Sequence, residues 1–87
     1  MLKETIGKRI RNLRVTKTDL SQEEFSKKIN LDRTYLSRLE SGKQNITIEN
    51  LNLICNGLGI SLKEFFEPFV DEMIEKNIDG ENDNECN

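Results

Sequence analysis

Two short helices signalled back to back, with only a tight turn between them, constrain this chain more than any other feature. Ser21 and Glu24 form a reciprocal capping pattern, each positioned to satisfy an orphan backbone donor of the other's turn. Phe25 and Ile29 follow at helical spacing as core residues. Asn30 stands where the chain must turn sharply, and asparagine tolerates the left-handed conformation better than any residue except glycine. Leu31 re-enters the core, and Asp32 caps the next helix, which runs to about Ser41. Gly42 ends that helix. Leu36 and Leu39 are its inward residues.

The flanking sequence is helical as well. A first helix is expected over about residues 3–16, with Ile6, Ile10 and Leu13 on one face and Lys8, Arg9, Arg11 and Arg14 mostly elsewhere. Thr47 caps a fourth helix, with Ile48, Leu51, Ile54, Cys55 and Leu58 inside and Gly57 or Gly59 at its end. Ser61 and Glu64 repeat the capping box and open a fifth helix with apolar Leu62, Phe65 and Phe66. Pro68 lacks the donor a helix interior needs, so a break or kink is expected there. It can also start a further helix, with Phe69, Val70, Met73 and Ile74 on one face. No stretch alternates like a strand, and nothing repeats. The expected fold is all-α: a five-helix domain over residues 1–66 and a helical extension over 67–78. An acidic tail over 79–87 is expected to be disordered.

Charge divides along the same line. Residues 1–66 hold 12 Lys+Arg against 8 Asp+Glu; residues 67–87 hold 1 against 8, which together make the net charge of -3. A basic body can bind nucleic acid whatever the total, because the local patch sets the field. No apolar run is long enough to span a membrane, and the opening Met1-Leu2-Lys3-Glu4 is too polar for a signal peptide. The expected location is the cytoplasm, with Cys55 and Cys86 as thiols and Cys55 a small apolar filler. Catalysis has little to work with: there is no histidine, no cysteine pair at zinc spacing and no glycine-rich phosphate loop. A binding protein without cofactor or metal is expected.

The second of the paired helices carries the candidate site. With Leu36 and Leu39 turned inward, the opposite arc holds Arg33, Thr34, Ser37 and Arg38, all hydrogen-bond donors and none acidic. A guanidinium can read a guanine edge bidentately, and hydroxyls and a threonine methyl suit other base edges. Tyr35 lies at the rim of the arc. Gln22 stands in the first turn of the preceding helix, where free N–H groups favour an anion. Lys43, Gln44 and Asn45 follow the site helix and Thr47 opens the next, so that these residues would clamp phosphates on either side of a groove.

The run Leu20-Ser21-Gln22-Glu23-Glu24-Phe25, followed by Leu31-Asp32-Arg33-Thr34-Tyr35-Leu36-Ser37-Arg38-Leu39-Glu40-Ser41-Gly42-Lys43, resembles the helix-turn-helix of the phage repressor and Cro-like family. Within that family, residues 32–37, the 40–45 turn and Ile60-Ser61-Leu62-Lys63-Glu64-Phe65-Phe66 resemble controller proteins of restriction-modification systems. The resemblance covers roughly residues 6–66. It implies a homodimer on two-fold double-stranded operators and a third helix in the major groove. Gln22, Tyr35, Lys43 and Asn45 would be phosphate contacts, and Arg33, Thr34, Ser37 and Arg38 base-facing. The chain departs from the pattern at Ser26 and Ile29, usually alanine, at Asn30, usually glycine, and at Gln44, where controllers often carry arginine.

Plainer readings stand beside these. Arg33 and Arg38 also fit solvated helix charges, and Tyr35 fits the edge of the core. Glu40 suits a helix terminus or an internal ion pair better than DNA, since it would repel phosphate. Phe65, Phe66 and Phe69 fit a core; they also fit a dimer seam together with Met73 and with Leu53, which falls off the inner face of the fourth helix. As an alternative function, an antitoxin-like or anti-regulator module would dock a protein partner through the C-terminal segment 69–78.

Overall fold

The computed structural model describes residues 2–70. Its helices are α1 (Leu2–Lys17), α2 (Gln22–Ile29), α3 (Arg33–Glu40), α4 (Ile48–Leu58) and α5 (Leu62–Phe66), followed by a 3₁₀ turn over Glu67–Phe69. The expected Met73 and Ile74 face and the tail lie outside the described residues. No described helix is long and apolar enough to cross a membrane.

Each of α2 to α5 starts at a side-chain cap. Ser21, Asp32, Thr47 and Ser61 accept the backbone N–H groups of Glu24, Tyr35, Asn50 and Glu64 at 3.0–3.1 Å. Ser21 and Glu24 complete the reciprocal box, Glu24 accepting the Ser21 N–H at 2.9 Å. A cap of this kind contributes about 1 kcal/mol, a large share for helices too short to persist alone. Between α2 and α3, Asn30 takes the left-handed conformation at φ 60° and ψ 46°. Its N–H donates to the Lys27 carbonyl, and the Leu31 N–H donates to that of Ser26 at 2.8 Å. The angle between the two helices is thereby set by backbone hydrogen bonds.

One core unites all five helices. Ile6, Ile10 and Leu13 of α1 meet Phe25 and Ile29 of α2, Leu36 and Leu39 of α3, and Leu51, Ile54, Cys55 and Leu58 of α4; Phe65 closes it from α5. Burial pushes the Cys55 thiol above its ordinary value, which keeps it neutral and inert. α1 lies hard against the end of α3. A methyl group at Gly7 would run into the Leu39 carbonyl oxygen, so only glycine permits that approach. Gly59, rather than Gly57, ends α4 in the left-handed conformation.

Three expectations are corrected. Arg14 is buried rather than on the solvent side of α1, because a buried carboxylate waits for it. Its Nε donates to Glu40 Oε2 at 2.8 Å and its Nη2 to Oε1 at 3.0 Å, while Nη1 donates to the Leu20 carbonyl at 2.9 Å. Ile48 is 65 % exposed, since the first position of α4 projects past the core. Phe65 is wholly buried in its own core, so its ring is not available to a dimer seam. Arg9 cements it there, donating to the Phe65 and Glu64 carbonyls at 2.9 and 3.1 Å with its guanidinium 5.7 Å from the Phe65 ring centre. The break expected at Pro68 is present: a 3₁₀ turn with the proline in its first positions interrupts the helix, and the rest of the expected further helix lies outside the described residues.

The Arg14–Glu40 pair generates a stability prediction. Glu40 is 2 % exposed in its side chain and Arg14 10 %, so removing one partner strands a buried charge. Glu40→Ala is expected to cost about 3–5 kcal/mol. Breaking the exposed Lys27–Glu23 pair (77 % and 60 % exposed) with Lys27→Ala should cost less than about 1 kcal/mol. Urea melts followed by circular dichroism measure both; equal midpoints for the two variants would show that the buried pair does not hold the fold.

Candidate nucleic-acid interface

The helix that carries the candidate site owes its charge to what its acids are doing. Asp32 spends its carboxylate on the Tyr35 N–H at 3.1 Å. Glu40 is buried, chelated by Arg14 and accepting the Gln22 Nε2–H at 2.9 Å. The outward face of α3 is left with Arg33, Thr34, Ser37 and Arg38 and no carboxylate. Glu40 holds Arg14 above its ordinary pKa, against the opposing effect of burial, so the ion pair stays charged.

The side chains of Arg33 and Thr34 are exposed and make no hydrogen bond to other described residues; Ser37 is half-buried beside them. Arg38 is held differently. Its Nε donates to Gln44 Oε1 at 3.2 Å and its Nη2 to the Lys43 carbonyl at 3.1 Å. The guanidinium is folded toward the turn after α3, with its Nη1 edge still unengaged. The Lys43 N–H in turn donates to the Arg38 carbonyl at 2.9 Å, and Gly42 takes φ 77° to let the chain leave the helix there.

Among the residues expected to flank the groove, Lys43, Asn45 and Thr47 are exposed and Gln44 is half-buried. Gln22 is tied to Glu40, which brings the N-terminus of α2 beside the C-terminal end of α3. The Ser21 hydroxyl serves Glu24, so the Gln22 and Glu23 N–H groups at the start of α2 have no helical partner. The Tyr35 hydroxyl accepts the Asn50 Nδ2–H at 3.0 Å and donates to the Asn45 carbonyl at 3.4 Å. Tyr35 therefore sits half-buried as a brace between α3, the 43–45 turn and α4. Leu53 is 40 % exposed, and Phe66 is half-buried with its ring edge-on to Phe65 at 5.1 Å and to Phe69 at 6.4 Å. Met73 lies outside the described residues.

Sequence reasoning missed Arg14 and Asn50. Arg14 follows the apolar Leu13 and shares the Ile10 side of α1, which hints at its burial, but its partner is 26 positions away. Asn50 stands three residues after the Thr47 cap, a position with no apolar signal.

The helix-turn-helix family model matches residues 10–65. Control protein C.MunI of a Mycoplasma species is 48 % identical over 71 residues, which is 82 % of this chain and 96 % of that protein. The restriction-modification controller protein C.Esp1396I, crystallised as a tetramer with its natural 35 base-pair operator, superposes with a TM-score of 0.74 at 38 % identity, covering 85 % of this chain and 96 % of that one. Antitoxin PezA of Streptococcus pneumoniae is 39 % identical over 56 residues, only 35 % of its length. A matched helix-turn-helix core and near full-length likeness to these control proteins place the chain: it belongs to the helix-turn-helix family and, within it, to the controller proteins of restriction-modification systems.

Proposed function

We propose that this chain regulates transcription by binding duplex DNA sequence-specifically in the cytoplasm, as the controller of a restriction-modification operon. The observation that carries the reading is an outward α3 face of donors, with Glu40 buried on Arg14 and Gln22 and Asp32 capping the helix start. α3 enters the major groove, where Arg33, Thr34 and Ser37 meet base edges and Arg38 offers the guanidinium edge that Gln44 leaves open. Lys43, Asn45, Thr47 and the start of α2 at Gln22 hold phosphates, with Tyr35 bracing the 43–45 turn against α4. The alternative, a module built to dock a protein partner, rests on a likeness to an antitoxin that covers only 35 % of that protein.

One α3 covers too few base pairs for specific binding in a genome, so the working unit is a two-fold homodimer with its recognition helices about 34 Å apart. Leu53 and Phe66, with Phe69 at their edge, form its seam away from α3.

Three measurements check this. Operator affinity is expected to fall steeply with salt, since each neutralised phosphate releases counterions; a flat salt titration would count against phosphate contacts altogether. Arg33→Ala should relax preference at one base position at a cost of about 1–3 kcal/mol, whereas Lys43→Ala should weaken all duplexes alike and lower the salt slope by about one. Binding-site selection returning one motif for the parent and for Arg33→Ala would remove Arg33 from base readout. In sedimentation at micromolar concentration, the parent should be dimeric and Phe66→Asp or Leu53→Asp monomeric with an unchanged helical spectrum. Dimers that survive both charges would displace the seam.

A further inference from the structure

The outer side of α1 combines exposed cations with an exposed apolar side chain. Opposite the arc that packs on the core, Lys8 and Arg11 are exposed cations with no ion pair or hydrogen bond among the described residues. Beside them Val15, a branched apolar side chain, is 58 % exposed. Two shallow depressions run along this side and share Lys8 and Asn12: one reaches Arg11 and Val15, the other Pro68 and Phe69. The groove therefore has an apolar end at Phe69, a basic middle and an apolar end at Val15. It faces away from α3 and takes no part in the interface proposed for DNA.

The chain leaves the described region at Val70, immediately after the residues that line the groove's mouth. The next eight residues are Asp71-Glu72-Met73-Ile74-Glu75-Lys76-Asn77-Ile78, three acids and one lysine interleaved with Met73, Ile74 and Ile78. Their net charge of two negatives is the complement of Lys8 and Arg11, and their apolar side chains match Phe69 and Val15. Reach is sufficient. The groove from Thr5 to Val15 is about 15 Å of helix, and an eight-residue segment spans about 12 Å as a helix and up to about 26 Å extended.

We propose that segment 71–78 docks on the outer groove of its own α1, laying Met73 and Ile74 between Phe69 and Val15 and its carboxylates against Lys8 and Arg11. Docking covers basic surface that would otherwise attract nucleic acid indiscriminately and leaves the α3 side as the basic face open to DNA.

The test uses the full chain without DNA, so it does not depend on the DNA-binding reading. A nitroxide is attached at Asn77→Cys in a Cys86→Ser background, with Cys55 buried and inert. Amide signals of Lys8, Asn12 and Val15 are expected to lose intensity relative to the reduced label, while those of Thr34 and Lys43 keep theirs. Lys8→Glu with Arg11→Glu should restore the α1 signals, and adding Glu72→Lys with Glu75→Lys should broaden them again. Uniform broadening, or broadening indifferent to the charge reversals, overturns the proposal. So does α1 broadening that appears when spin-labelled protein is mixed with isotope-labelled, spin-free protein, which would assign the groove to a second copy.

Discussion

The buried chelate of Glu40 by Arg14 holds together what the rest of the molecule uses. It joins the last residue of α3 to the last turn of α1, and through Gln22 and the Leu20 carbonyl it fixes the start of α2. A carboxylate in a core is costly unless fully paired, and here both oxygens are taken, Oε1 twice. The net stabilisation from such a pair against an apolar substitute is small. Its larger effect is geometric. The bidentate fork allows one orientation of α3 relative to α1, and the missing side chain at Gly7 allows the two helices to come close enough for that orientation.

The chemistry of the outward face follows from that inward arrangement. An eight-residue helix capped by Asp32 and ending in Glu40 would ordinarily present mixed charge to a polyanion. One acid is consumed by the helix's own N-terminus and the other by Arg14. Arg14 thus gives up its own charge to the interior and leaves α3 positive outside. The same economy recurs at Tyr35, whose ring completes the core while its hydroxyl ties the 43–45 turn to α4.

Local signals in the sequence were enough for the architecture. All four caps, the left-handed Asn30 and the interruption at Pro68 depend on residues within four positions of one another, and such patterns can be read along the chain. The shortfall came where a residue's role is decided by a distant partner. Arg14 carries the same helical-wheel signal as any charge at the edge of an apolar stripe, and only Glu40 makes it a buried one. Phe65 and Phe66 are adjacent and chemically equal, yet Arg9 and the core claim the first and leave the second only half-buried. At the candidate site, exposure of Arg33 and Thr34 followed from the inward Leu36 and Leu39, whereas the folding back of Arg38 onto Gln44 depends on the path of the turn beyond the helix.

The division of α3 into an anchored side and a free side bears on how such a helix can be altered. Leu36, Leu39 and Glu40 belong to the scaffold, since their partners are on other helices. The side chains of Arg33 and Thr34 are exposed and make no hydrogen bond to other described residues. New outward residues can therefore be written onto this scaffold without disturbing it. The converse operation fails: α3 transplanted whole into a host lacking an arginine at the place of Arg14 would bring a naked carboxylate into that host's core. Retargeting is portable as a set of surface letters, not as a helix.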